Sequence, residues 1–165
     1  MADDPGALPP QDATVPEVID TYLAGQLAAG TLAALDRDGN TWYARIAGED
    51  KDYTTVWLTL GQRALSYEAY FMPAPEEHAR DVYELLLLWN HRLRGAAFTL
   101  SPEHDVFLRG QLDRREVTGE TVDRILGTIY QYAERFFRTA LELGYPAARR
   151  VPARGPAATF PQSVD

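Results

Sequence analysis

Two adjacent runs, YTTVWLTL at Tyr53–Leu60 and ALSYEAYFM at Ala64–Met72, alternate apolar and polar side chains with three residues between them. Side chains on a strand point to opposite faces in turn, so each run has one apolar face, and their proximity predicts an antiparallel hairpin. One face carries Val56, Leu58, Leu60, Leu65, Tyr67, Ala69 and Phe71. The other carries Tyr53, Thr55, Trp57, Thr59, Ser66, Glu68 and Tyr70, which is more aromatic than a face meant only for water. Any fold for this chain must cover the first face and account for the second.

The flanking periodicities supply the cover. Val18, Ile19, Tyr22, Leu23 and Leu27 recur at helical spacing between Pro16 and about Ala29, with Pro16 suited to a first turn. LDRDGN at 35–40 is dense in turn formers, and TWYARIAG after it alternates as a strand. MPAPEE predicts a helix start at Pro75, with Glu76 and Glu77 at its positive end, and Arg92, Arg94 and Gly95 suit its close. AAFTL and DVFLRGQL read as two short strands. Thr118 can then cap a helix over about 119–143, whose Val122, Ile125, Leu126, Ile129, Ala133, Phe136, Phe137 and Ala140 form a wide apolar stripe. The expected order is helix, three strands, helix, two strands, helix: a single α+β domain at 16–143 with helices packed on an antiparallel sheet. Residues 1–15 read as a flexible acidic arm, and 144–165 as a tail rich in Pro, Ala and Arg.

Charge and composition narrow the function. The 165 residues carry a formal charge of −8, with Lys51 the one lysine, and this argues against nucleic acid or an anionic membrane as partner. No cysteine is present, which excludes disulfides, thiolate nucleophiles and cysteine-ligated metals. The start lacks the basic and apolar segments of a secretory signal, and no run approaches the roughly 18 apolar residues of a membrane span, so a cytoplasmic protein is expected.

The stretch LLLLWNHRL at 85–93 tests for chemistry. At 100° per residue, Ala79, Val82, Tyr83, Leu86, Trp89 and Leu93 share one arc of the second helix, and Asn90 falls inside it. His91 falls on the opposite side, so Asn90 reads as an amide bonding nearby backbone rather than half of a catalytic pair. His78 and His91 lie roughly 20 Å apart along the helix and cannot share an ion; His104 sits in a turn. No GxSxG, Walker loop or GxGxxG occurs, so no catalytic residue, metal or cofactor is expected. Leu87 and Leu88 lie outside the arc, one on each flank, and this excess of apolar surface predicts a second contact, a homodimer through Leu87 and Leu88.

The run from Trp42 to about Tyr145 resembles the YbjN family in its actinobacterial form. The resemblance rests on VWLTLGQRALSYEAYFMPAPEEHARDVYELLLLWNHRLRGAAFTL, on DVFLRGQLDRREVTGETVDRILGTIY and on FFRTALELGYPA. It implies a sensory transduction regulator with a fold similar to class I type III secretion chaperones, which work as homodimers, and it implies neither an enzymatic activity nor a cofactor. The family pattern carries arginines near the end of the second helix, where this chain has Leu88 and Trp89.

The expected function is therefore that of a non-enzymatic protein-binding regulator or chaperone-like adaptor with a protein or peptide partner. Tyr43, Arg45, Trp57, Glu68 and Tyr70 are the expected contact face. Two alternatives differ in class: a small-molecule sensor with a pocket lined by Trp89, Tyr83, Tyr67 and Phe136, and a hydrolase assembled from scattered acids.

Overall fold

The computed structural model describes residues 13–147. The acidic arm and the Pro/Ala/Arg-rich tail therefore lie outside the described residues, apart from 13–15 and 144–147. The chain runs α1 (Val15–Ala28), β1 (Ala34–Asp38), β2 (Thr41–Ala47), β3 (Tyr53–Leu60), β4 (Ala64–Met72), α2 (Ala79–Asn90), β5 (Ala97–Leu100), β6 (Val106–Asp113) and α3 (Gly119–Gly144). A single 3-10 turn at Arg114–Glu116 precedes α3. Six strands form one open antiparallel sheet in the order β1-β2-β3-β4-β6-β5. The α+β class is as the periodicity indicates.

The sheet has one strand more than the alternation predicts. Residues 34–38, ALDRD, read as part of a turn, yet they pair with β2 from Ala34 opposite Arg45 to Asp38 opposite Thr41. Only Leu35 of this strand is even half-buried. An edge strand bonds one neighbour and can keep its charges in water, so it leaves no apolar alternation to detect. The turn is confined to Gly39 and Asn40, where Gly39 takes a positive φ of 56°.

All three helices pack on one face of the sheet. Asp20 of α1 accepts from the Trp42 indole N–H of β2 at 2.7 Å, and Ile19 and Leu23 are fully buried. Trp89 of α2 packs on Phe98 of β5, and Phe137 of α3 on Phe71 of β4, with ring centroids 5.9 and 5.8 Å apart. The α3 stripe of Val122, Ile125, Leu126, Ile129, Ala133, Phe136 and Ala140 is buried against the predicted inner face of the β3–β4 hairpin, which is buried throughout. Fully burying one Leu or Ile side chain contributes roughly 1.5–3 kcal/mol, so this stripe is the main anchor of the layer.

The α2 boundaries differ from the expected ones. The helix begins at Ala79, after His78 in a left-handed conformation, not at Pro75. The Glu76 and Glu77 amides instead donate to the Gly144 carbonyl at 3.1 Å each, and so cap the C-terminus of α3. Gly144 thus belongs to the packed domain, with Tyr145 after it donating its hydroxyl to the Ala74 carbonyl.

Asn90 ends α2 in the role its position on the wheel predicts. Its Nδ2 donates to the Phe98 carbonyl at 3.0 Å, and the Phe98 amide donates to its Oδ1 at 2.7 Å. Because β5 is the sheet edge, the side-chain amide takes the place of a further strand at that residue. Gly110 is required nearby: it faces Tyr67 across β4 and β6, and a Cβ there would stand 2.4 Å from both the Tyr67 ring and the Gly95 carbonyl. Replacing Asn90 by Ala strands both backbone groups of Phe98 and should lower the unfolding free energy by about 1–3 kcal/mol. Denaturant titration will read this as a lower midpoint at unchanged slope; an unchanged midpoint would mean that water replaces the amide without cost.

Candidate functional site

Strand alternation and one-sided helix packing together create the outer face. With Trp42 and Ala44 buried under the helices, β2 must turn Tyr43 and Arg45 away from them; β3 does the same with Trp57, and β4 with Glu68 and Tyr70. The five sequence-predicted contact residues therefore share one face, and no described element covers it.

The register orders these side chains in rows across the strands. Asp36, Tyr43, Trp57, Glu68 and Arg109 stand opposite one another in turn along β1, β2, β3, β4 and β6. Tyr43 and Trp57 meet edge to face with centroids 6.0 Å apart, and Arg109 Nε lies 2.6 Å from Glu68 Oε2. The ion pair is partly exposed and so contributes little net stability. In the next row Arg45 faces Thr55, and its guanidinium lies 5.3 Å from the Tyr53 ring. Tyr70, opposite Phe107 of β6, meets it edge to face at 5.5 Å, and the Arg109 guanidinium lies 5.0 Å from the Phe107 ring. Thr41 with Thr59 and Ser66 with Gln111 form a polar border.

Phe107 and Arg109 belong to this face and are not among the residues the sequence assigns to it. Their signal is present as the outward half of DVFLRGQL, but it joins the hairpin only through the pairing of β4 with β6, which spans α2 and β5. Nothing local specifies that neighbour.

Tyr70 is tied to the interior by Lys51. The β2–β3 loop folds around Glu134 of α3, whose carboxylate accepts from the amides of Glu49 at 2.9 Å and Asp50 at 2.8 Å; Arg138 also bonds Asp50 at 2.7 Å. Gly48 permits this wrap, since a Cβ there would stand 2.1 Å from Glu134 Oε1. The loop delivers the Lys51 ammonium to the Tyr70 carbonyl at 2.7 Å, between the Tyr70 and Phe137 rings. Burial pulls the Lys51 amine down to about 8, opposed in part by the Glu134 charge. Burial also pushes the Tyr70 hydroxyl up to about 12, with Asp105 and Tyr145 adding to the shift.

A second exposed feature lies on α2. Leu87 and Leu88 are 68% and 62% exposed, and they line an open depression with Arg80, Tyr83 and Glu84. Of the four side chains expected around a ligand pocket, Trp89 and Phe136 pack on each other. Trp89 stacks on Phe136 at 4.4 Å and Tyr67 donates its hydroxyl to the Gly95 carbonyl, so a ligand there would have to displace packed rings. Among the described residues no group of three or more His, Asp or Glu is placed to hold a metal ion, and no helix is long and apolar enough to cross a membrane.

Residues 20–142 match the YbjN family, described as "Putative bacterial sensory transduction regulator". The chain belongs to the YbjN family. "Uncharacterized protein Rv0487" of Mycobacterium tuberculosis is 36% identical over 100 residues, covering 61% of this chain and 55% of that protein. "Uncharacterized protein ML2442" of Mycobacterium leprae is 33% identical over the same length, covering 61% and 54%. The chain thus spans about half the length of the curated relatives it matches. Among solved structures, a chain of the ExsC–ExsE complex superposes with a TM-score of 0.55 at 20% identity, covering 76% of this chain and 96% of that one. A chain of the HopA1–SchA chaperone–effector complex superposes with a TM-score of 0.50 at 13% identity, covering 74% and 94%. At these identities the likeness is one of fold alone, an α+β fold shared with a chain from a chaperone–effector complex.

The Lys51 environment has a measurable consequence. Its folded pKa lies below the ordinary 10.5, so between about pH 8 and 10.5 the unfolded chain binds more protons than the folded one. Below that window both states are protonated and the full burial penalty is present; across it the Lys51 contribution becomes less unfavourable. The stability of the wild type relative to Lys51→Met should therefore rise from pH 8 to 10.5 in denaturant melts at constant ionic strength. A flat difference would mean that the amine is solvated like that of an ordinary lysine.

Proposed function

We propose that this YbjN-family chain is a non-enzymatic protein-binding regulator or chaperone-like adaptor, acting as a cytoplasmic homodimer. The carrying observation is the outer sheet face, where Tyr43, Trp57 and Tyr70 are set out with Arg45 and Glu68 and no described element lies over them. Aromatic and arginine side chains held by a rigid sheet offer large contact area at small entropic cost, which suits an extended or helical protein segment. Likeness of fold to a chain from a chaperone–effector complex supports the same reading. The exposed Leu87 and Leu88 support self-association through α2.

Affinity capture from the native host, quantified by mass spectrometry, tests the face. Proteins enriched on the wild type should fall roughly tenfold or more on the Trp57→Ala/Tyr70→Ala variant, as expected for loss of two aromatic anchors. Its melting temperature should stay within a few degrees, because both side chains lie on the outer surface. Unfolding of the variant would make the face part of the core and remove the proposed surface. Association is read separately: light scattering of the intact chain at micromolar concentration should give the mass of two chains, and Leu87→Asp/Leu88→Asp should give one.

A further inference from the structure

Residues 148–165 carry Arg149, Arg150 and Arg154 against one acid, Asp165, with Pro152, Pro156 and Pro161 among them. Residues 1–12 carry Asp3, Asp4 and Asp12 and no basic side chain. The outer sheet face has the chemistry that receives the first segment rather than the second. Its charged side chains are Asp36 and Asp38 of β1, Arg45 of β2, Glu68 of β4, and Arg109 and Asp113 of β6. The pairs Glu68–Arg109 and Asp113–Arg115 cancel, so the acids of β1 outweigh Arg45. Beside that acidic edge stand Tyr43, Trp57, Tyr70 and Phe107, each half-buried. Proline-rich chain is extended without internal hydrogen bonds and docks on aromatic surfaces, and guanidinium groups stack on ring faces.

The place where the basic segment departs also fits. Tyr145 follows α3 and donates its hydroxyl to the carbonyl of Ala74, four residues beyond Tyr70 at the end of β4. The Ala74 amide donates to Asp105 at 2.9 Å. Burial pushes the Tyr145 hydroxyl up, with Glu76, Asp105 and Tyr83 adding to the shift, so acids border the start of the segment that carries Arg149 and Arg150. From Tyr145 to Arg154 an extended proline-rich chain reaches up to about 28 Å. Crossing the sheet from Tyr70 to Asp36 takes only about 16 Å. A tethered segment has an effective concentration in the millimolar range, so even weak contacts suffice to keep it on the face.

We propose that residues 149–160 lie across the outer sheet face of their own chain, with arginines toward Asp36 and Asp38 and prolines against Tyr43, Trp57 and Tyr70, and occupy it until a partner displaces them. This rests on the reading of that face as a protein-contact surface and names its resting occupant.

The chain has no cysteine, so Ala157→Cys in the full chain takes a single nitroxide label whose neighbours lose NMR intensity. In isotope-labelled chain diluted into excess unlabelled chain, the amides of Asp36 and Tyr43 and the Trp57 indole should lose intensity at least twofold. Thr21 and Ala24, exposed on α1 on the other side of the sheet, and Leu87 and Leu88 should lose less. Combining the label with Arg149→Glu/Arg150→Glu/Arg154→Glu, or with Trp57→Ala/Tyr70→Ala, should restore the intensity, and the remaining spectrum checks that each variant is folded. Broadening that is strongest on α1 or α2, spread evenly, or retained in either variant overturns the proposal. Broadening seen only when the nitroxide is on one copy and the isotope on another assigns the segment to a neighbouring chain and overturns docking within one chain. If the label contacts no part of the face while Trp57→Ala/Tyr70→Ala still loses captured proteins, the occupant is wrong and the contact face stands; if those proteins are kept as well, both fail.

Discussion

The burial of α3 against the inner face of the β3–β4 hairpin is the contact on which the remaining geometry rests. Its stripe, from Val122 to Ala140, meets Phe71, Leu58 and their neighbours across a closed apolar layer, and α1 and α2 join the same layer through Trp42 and Phe98. Among the described residues three helices lie on one side of the sheet and none on the other. The outer face is a consequence of that asymmetry, since strand alternation sends outward every second residue that the helices do not take.

The asymmetry also explains how the outer face is held in place. Cross-strand contacts between Tyr43 and Trp57, and between Tyr70 and Phe107, restrict the rotamers of the rings on this face. Lys51 adds a tie from behind: it reaches the Tyr70 carbonyl from a loop that Glu134 and Arg138 of α3 hold by its amides and by Asp50. Face and helix layer are thus joined by hydrogen bonds as well as by apolar packing. The chain shares its family with the YbjN proteins, while the make-up of the outer face is set by these residues rather than by the fold.

At the other end of the molecule α2 has two unlike sides. Leu86, Val82 and Trp89 are spent on the sheet, while Asn90 closes the β5 edge by bonding both backbone groups of Phe98. Leu87 and Leu88 have no such use within the described residues. On this flank Leu87 and Leu88 of α2 and Leu100 of the β5 edge are the exposed large apolar side chains among the described residues.

Periodicity made much of this legible. The hairpin, its two faces, the stripe of α3 and the inward turn of Asn90 all follow from the local arrangement of apolar residues, because a side chain's direction is set by the repeat of its own strand or helix. The chain alone also placed Tyr43, Arg45, Trp57, Glu68 and Tyr70 on outward positions and Leu87 and Leu88 off the packed arc. It did not show β1, whose charges an edge strand tolerates, nor the start of α2, where Glu76 and Glu77 cap α3 instead of opening their own helix. It did not join Phe107 and Arg109 to the aromatic face, nor bring Lys51 beneath Tyr70. Those features depend on which elements become neighbours across long stretches of chain, and that choice is made by the collective packing of the layer, which no local repeat encodes.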